Sequence, residues 1–388
     1  MRISDRRQLR RDPLAHLDNL RRRSTTGLIQ LPWGGWCVSD SHLAQTLLRS
    51  PEYHAGKSGF FGDLLPTRSA QVDVGHAVRN LLRAGMPHYR AALTQAVTEL
   101  PTASRWPAAG TRLLFRCLTD LLLHRGTPAG TRRLLQRSAY GGVAVRAPHV
   151  WQRARAELLR AQLLAAVTEQ VGHRRKHPAG EQRDVLDAVL SACPADRTSD
   201  RTAAELHLMM FRAIMSPLST SLAWTVLLAC LHHTAPTPWP WPADHVVREA
   251  LRHRPVAWMV GRTLPRPVDF GGIVLSPGVL LSISPYLLHH DEHLWSAPEA
   301  FRPERWATKR GHGPYIPFGM GPFICAGAAV AHTLLTESLT ALCDNARLTV
   351  TGGDPRAVMA ESTVPRPFTL HRFLRPLTTT RQRGGDNP

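Results

Sequence analysis

Eight consecutive residues, Ala235-Pro-Thr-Pro-Trp-Pro-Trp-Pro242, constrain the fold of this chain more than any other stretch. Proline at every second position removes backbone donors and fixes φ, so the segment reads as a stiff, non-helical linker. The apolar pattern differs on its two sides. Before it, apolar residues recur at helical spacing over Gly75 to Leu100 (interrupted at Pro87), Leu113 to Leu123, Trp151 to Val171, and Arg201 to His233. The last is the longest and carries Pro217 in its middle, where a proline costs a backbone hydrogen bond and kinks a helix. After the linker, His245 to Arg254 reads as a short helix. Trp258 to Ser284 then turns to a β pattern, punctuated by Gly271-Gly272 and Pro277-Gly278. Gly311 to Phe323 is a Gly/Pro-rich loop, Ala326 to Leu342 an apolar helix, and Arg347 to Phe373 a set of late hairpins. The strands are few, short and confined to the second half. The expected fold is therefore mainly α with small β-sheets, not a doubly wound sheet. No Gly-rich nucleotide-binding motif stands between a strand and a helix.

The 388 residues are 43% apolar, which excludes a disordered chain. The charge is lopsided, +19, with three lysines beside 45 arginines. Such an excess suggests an anionic partner, or the codon bias of a GC-rich genome. The first residues, Met-Arg-Ile-Ser-Asp-Arg-Arg, lead into no apolar core of signal-peptide length. No uninterrupted apolar run reaches membrane-spanning length. A cytoplasmic protein without a membrane segment is expected. None of the six cysteines pairs with another at CxxC spacing, which argues against a zinc ribbon, and six in so long a chain are not a disulfide scaffold.

One cysteine has unusual surroundings. Pro317-Phe-Gly-Met-Gly-Pro-Phe-Ile-Cys-Ala-Gly327 delivers Cys325 to the start of the apolar helix. A helix N-terminus favours negative charge, and its free N–H groups are expected to lower the thiol pKa. The glycines let the backbone pass close to something flat and bulky. Phe318, Phe323 and Ile324 are expected to keep water from the sulfur. This is a suitable setting for a thiolate ligand to iron.

The spacing Phe318-x-x-Gly321-x-x-x-Cys325-x-Gly327 resembles the haem-binding loop of the cytochrome P450 family, with Gly319 inside it. Two further motifs follow the family order. Glu249-Ala-Leu-Arg252 looks like the ExxR pair, and three-residue spacing puts both side chains on one helix face. Phe301-Arg-Pro-Glu-Arg305-Trp306 looks like the segment whose arginine completes a Glu–Arg–Arg network. Alone, ExxR is common and reads as a surface ion pair; three motifs in order do not arise by chance. The resemblance runs over roughly residues 70 to 375. It implies a single catalytic domain over residues 1–375, a triangular helical prism around a buried haem b, β-rich near 255–286 and 346–375, with 376–388 a disordered tail. It also implies that Cys325 is the iron ligand, that Arg262 and His76 bind haem propionates, and that Arg305 joins Glu249 and Arg252 in bracing the loop.

The departures from the family are as informative. Where the family's central helix carries an acid–alcohol pair over the iron, this chain reads Ala213-Ile-Met-Ser216-Pro217. Moving the register to Ser219-Thr220 puts Leu218 at the acid position, so either way the pair is missing. A substrate group that relays protons, hydrogen peroxide as oxidant, hydrogen abstraction followed by coupling, or a relic without activity each remain open. Phe323 replaces a histidine, and Asn80 an arginine, that family members use on a propionate.

The resemblance implies a haem-thiolate oxidase acting on a largely apolar or aromatic small molecule. The substrate is expected over Ala213, Ile214 and Pro217, against Ala257-Trp258-Met259, Phe60-Phe61 and Thr363-Val364. Hydroxylation or oxidative coupling in bacterial secondary metabolism is expected, with a peroxygenase as the alternative. Ferredoxin and ferredoxin reductase are the expected partners of a monomer. The rival reading is a basic nucleic-acid-binding protein. For it stand +19 and Arg21-Arg22-Arg23; against it, the arginines are dispersed and no nucleic-acid motif occurs.

Overall fold

The computed structural model describes residues 3–53, 59–141, 150–178, 180–270, 272–308, 312–359 and 362–374. Gly271, Gly311 and the tail from Thr378 lie outside them.

The chain opens with α1 (Ile3–Arg11) and α2 (Pro13–Arg23), then β1 (Leu28–Gln30), β2 (Trp36–Val38) and α3 (Ser41–Arg49). Asp12 caps α2 by accepting the Ala15 N–H at 3.2 Å, and Asp40 caps α3 through Leu43 at 2.7 Å. Next come α4 (Arg68–Ala84) and α5 (Met86–Thr98). The interruption expected at Pro87 is a break at Gly85, with Pro87 in the first turn of α5, where its missing N–H costs nothing. β3 (Ala103–Trp106), α6 (Ala108–Leu122), α7 (Ala129–Tyr140), α8 (Val150–Lys176) and α9 (Val185–Ala192) lead to α10 (Asp200–His232). The Pro/Trp linker follows, non-helical as its prolines dictate, then α11 (Ala243–His253). The rest comprises β4 (Val260–Thr263), β5 (Val268–Phe270), β6 (Ile273–Leu275), β7 (Leu280–Ile283), α12 (Pro285–His289), α13 (Ala328–Cys343), β8 (Ala346–Thr351), β9 (Ala357–Met359), β10 (Thr363–Pro365) and β11 (Phe368–Leu374).

The strands are not confined to the second half. β2 lies parallel to β7 in a sheet of order β1-β2-β7-β4, and β3 pairs with β11 in a sheet of order β3-β11-β8. Three- and four-residue strands are too short to show an alternating pattern; they form here because later strands supply their partners.

α10 runs through the core, buried almost without interruption from Leu218 to Cys230, and Pro217 leaves it helical to His232. It is the one described helix long and apolar enough to cross a membrane by length and composition, but 83% of its apolar window is buried inside the fold. A second, smaller core joins Leu47 and Leu48 of α3 to Leu281, Ile283, Leu288 and Ile316. It anchors the start of the cysteine loop against the first sheet.

Candidate functional site

The site is built outward from Glu249, which is fully buried on α11. Its Oε1 accepts from Arg252 Nη2 at 2.9 Å, Arg305 Nε at 3.0 Å and the Arg302 N–H at 2.9 Å. Its Oε2 accepts from Arg252 Nε at 3.1 Å and Trp306 Nε1 at 3.0 Å. One carboxylate cannot balance two guanidiniums. The remaining donors reach carbonyls: Arg252 Nη1 to His289 at 2.7 Å, and Arg305 Nη1 to Ser296 at 3.0 Å. The structure therefore brings together Glu249, Arg252 and Arg305, and adds Trp306.

His289, at the end of α12, carries this network to the cysteine loop. Its Nε2 accepts the Ile316 N–H at 2.9 Å, and its Nδ1 meets the Arg252 carbonyl at 3.0 Å. Two residues on, the Phe318 carbonyl accepts the Cys325 N–H at 3.0 Å and closes the loop. Gly319 and Gly321 both hold positive φ. A Cβ at Gly321 would collide with the Leu48 carbonyl of α3, so no other residue fits there.

Cys325 lies two residues before Gly327, the N-cap of α13, and not in the helix itself. The crowded surroundings push its thiol pKa up, and the Gly327 N–H only partly offsets this. The lowering expected from the helix N-terminus is outweighed by this desolvation. Cys325 is exposed. Phe318 and Phe323 are half-buried beside it. Ile324, expected to shield the sulfur, is itself 53% exposed.

Arg262, on β4 opposite Leu281, is sequestered beside the loop. Its Nη1 donates to the Gly261 carbonyl at 2.9 Å, while its buried Nε has no partner. Desolvation lowers its pKa. Its guanidinium stands 5.3 Å from the Phe323 ring centre; that of Arg68, at the start of α4, stands 4.4 Å from the same ring. Arg68 also donates to the Pro322 carbonyl. His76, further along α4, is exposed and makes no hydrogen bond among the described residues. One residue before it, a Cβ on Gly75 would lie 3.3 Å from the Cβ of Ala326, so α4 and the loop touch closely.

On α10, Ser216, Pro217 and Ala213 are half-buried, and Ile214, Ser219 and Thr220 buried. The Ser219 hydroxyl has no partner. Pro217 has no N–H, so the Ala213 carbonyl lacks its normal donor. Trp258 and Met259 are half-buried, Ala257 and Phe60 exposed, Phe61 buried. Thr363 is fully buried: its hydroxyl donates to the Pro255 carbonyl at 3.4 Å and its carbonyl accepts from Trp224 at 3.0 Å. Val364 is buried beside it.

Sequence reasoning gave no role to His289 or Arg68. The partners of both residues are brought to them only by the fold, so neither carried a sequence signal.

These residues fit a haem. The exposed thiol of Cys325, and beside its loop an Arg262 whose buried Nε has no partner, suit an iron held over a dianionic ring.

The architecture and the site together define the class. A solved structure of a mutant P450 EryK with erythromycin B matches with a TM-score of 0.72 over 95% of this chain and 97% of its own, at 20% identity. A zebrafish cytochrome P450 with progesterone matches with a TM-score of 0.76, covering 93% and 99%, at 19% identity. At such identities the likeness shows the fold. Residues 243–372 match the family described as Cytochrome P450. Cyclooctatin synthase of Streptomyces melanosporofaciens is 30% identical over 196 residues, 44% of this chain and 43% of that protein. The chain spans less than half the length of the curated relatives it matches. Residues 243–372 of this chain thus match the cytochrome P450 family, on a fold shared with solved P450 structures.

Proposed function

We propose that the protein is a soluble, monomeric haem-thiolate oxidase, its catalytic domain spanning residues 1–375, that modifies a largely apolar or aromatic small molecule. The observation that carries this reading is the continuous path from Glu249 through Arg252 and His289 to the loop bearing Cys325. Bound at Cys325, haem b would supply activation of dioxygen or peroxide.

The protein's own residues would do the rest. The Glu249 network would hold the loop rigid. Arg262, and Arg68 across Phe323, would meet the haem carboxylates by charge-assisted bonds. Ile214, Trp258, Met259 and Phe61 would exclude water from the substrate face and select an apolar body. Ser216 and Pro217 offer no acid–alcohol pair. The unpartnered Ser219 hydroxyl and the Ala213 carbonyl instead favour a substrate that brings its own hydroxyl or carboxyl group. Hydroxylation or oxidative coupling in bacterial secondary metabolism follows, and the erythromycin B held by the EryK mutant supports that class of substrate. Ferredoxin and its reductase in the cytoplasm would deliver electrons. Pro217 favours a second reading, a peroxide-driven peroxygenase.

The test is to incubate candidate metabolites with either ferredoxin plus reductase or hydrogen peroxide and to read product mass. A gain of one oxygen means insertion; a loss of two hydrogens or a dimer means coupling; the oxidant that supports turnover separates oxidase from peroxygenase. The reduced, carbon-monoxide-bound protein should show the family's shifted Soret band, absent in Cys325→Ser. A colourless preparation overturns the reading.

A further inference from the structure

A concavity of about 710 Å³ opens where the end of α5, β3, α6 and α7 meet, on residues the haem site does not use. Its apolar lining includes the half-buried Leu100 and the buried Leu113 and Phe115. Tyr140 stands over Phe115 in a T-shaped contact at 5.5 Å and remains 39% exposed, free to cover a ligand.

The walls carry four guanidiniums. Arg116 is engaged bidentately by Glu99, and Arg132 by Asp120 at 2.8 Å. Glu99 is the one carboxylate lining the concavity among the described residues, and it is already used. Arg105 and Arg112 are exposed, and their side chains make no hydrogen bond or ion pair among the described residues. Two uncompensated cations therefore face one apolar hollow.

The fold fixes the backbone positions of both residues. Arg105 sits on β3, held opposite Thr369 of β11. Arg112 lies in the first turns of α6. Between them the fully buried Trp106 ring lies so close to Gly110 that any Cβ there would collide with it, which locks strand to helix.

We propose that this hollow is a second ligand site, for a small amphipathic anion: an aromatic or aliphatic body bearing one carboxylate, sulfonate or phosphate. The anionic group would bridge Arg105 and Arg112. The body would lie against the half-buried Leu100 and the exposed Tyr140 ring. The volume falls within the range of pockets for such molecules, about 300–1,000 Å³, and the paired guanidiniums supply the charge-assisted donors an oxyanion needs.

The test is calorimetric titration of the haem-loaded protein with naphthalene-2-sulfonate, with the haem's substrate face blocked by an azole. One-to-one saturable binding is expected, weakened about tenfold or more in Arg105→Ala/Arg112→Ala and partly restored in Arg105→Lys/Arg112→Lys. Neutral 2-naphthol should bind the wild type about tenfold more weakly or worse. Both arginines are exposed, so an unchanged far-UV spectrum and Soret band are expected in the variants. No saturable heat up to about 1 mM, an affinity no stronger than millimolar, overturns the proposal. So does equal binding by the double alanine variant. Equal affinity for inorganic sulfate would show a bare charge patch, and capture of an acidic protein without small-anion binding would show a docking face; either result also overturns it.

Discussion

The ring of His289 accepts the Ile316 N–H through Nε2 at 2.9 Å. Because an amide only donates and the Arg252 carbonyl at Nδ1 only accepts, the ring is neutral with its proton on Nδ1. Burial, with the Arg252 charge adding to it, holds the pKa at about 3, so this tautomer persists at any working pH. The imidazole is thus a fixed connector between α11 and the cysteine loop. His289→Phe keeps the bulk but leaves a buried donor and a buried acceptor unpaired, at about 1–3 kcal/mol each. A lower urea midpoint and a lower Soret-to-protein absorbance ratio are expected. If both stay at wild-type values, the connection has no structural weight.

Glu249→Ala should be worse than Arg305→Ala. It leaves two buried guanidiniums without an anion, and breaking such a set costs about 3–5 kcal/mol. Arg305→Ala leaves Glu249 still paired bidentately with Arg252. The expected order of haem loading after expression is wild type, then Arg305→Ala, then Glu249→Ala, with the last mainly apoprotein. Full loading of Glu249→Ala would remove the bracing role.

The parts legible in sequence were those with long periodic or dense local signals. α4, α5, α6, α8, α10, α11 and α13 lie where apolar spacing put them, and Glu249-Ala-Leu-Arg252 alone announced a side-chain pair. β1, β2 and β3 were not legible, since three or four residues carry no alternation and their pairing partners lie far along the chain. The role of His289 was hidden for a similar reason. Its two partners, Arg252 and Ile316, are main-chain atoms brought together only by the fold. The helix after Cys325 was expected from Ala326 and begins at Ala328, and the desolvation that raises the thiol pKa carries no sequence signal.

Pro217 offers a stability test independent of chemistry. α10 continues through it, so the Ala213 carbonyl has lost a donor in the middle of a buried helix, at a cost of about 3 kcal/mol. Pro217→Ala restores the bond and should raise the urea midpoint by about 1–3 kcal/mol of stability. Ser216→Asp/Pro217→Thr should also speed electron-donor consumption or monooxygenase turnover. A Pro217→Ala variant no more stable than wild type would mean the surroundings already compensate the lost bond. Unchanged turnover, coupling and product in the double variant would mean proton delivery does not depend on this position.

Acid should destabilise the protein in a defined window. His207, on α10, is fully buried with neither ring nitrogen partnered, and desolvation lowers its pKa to about 4; nearby Asp184 opposes the shift and Arg174 adds to it. His289 falls to about 3, and burial also lowers His253 well below its ordinary value. In the unfolded chain these rings titrate near 6.5. Below that pH the unfolded state binds more protons than the native state, so stability falls as pH drops from about 6.5 toward 4 and is flat above. Each fully buried ring contributes a slope of up to about 1.4 kcal/mol per pH unit within the window. His207→Phe removes one such ring while filling its space. Between pH 7.5 and pH 5.0 the variant should lose about 2 kcal/mol less stability than the wild type in urea titrations. An equal loss in both proteins would mean that His207 is already protonated in the native state, or bound to a partner that keeps its pKa near 6.5.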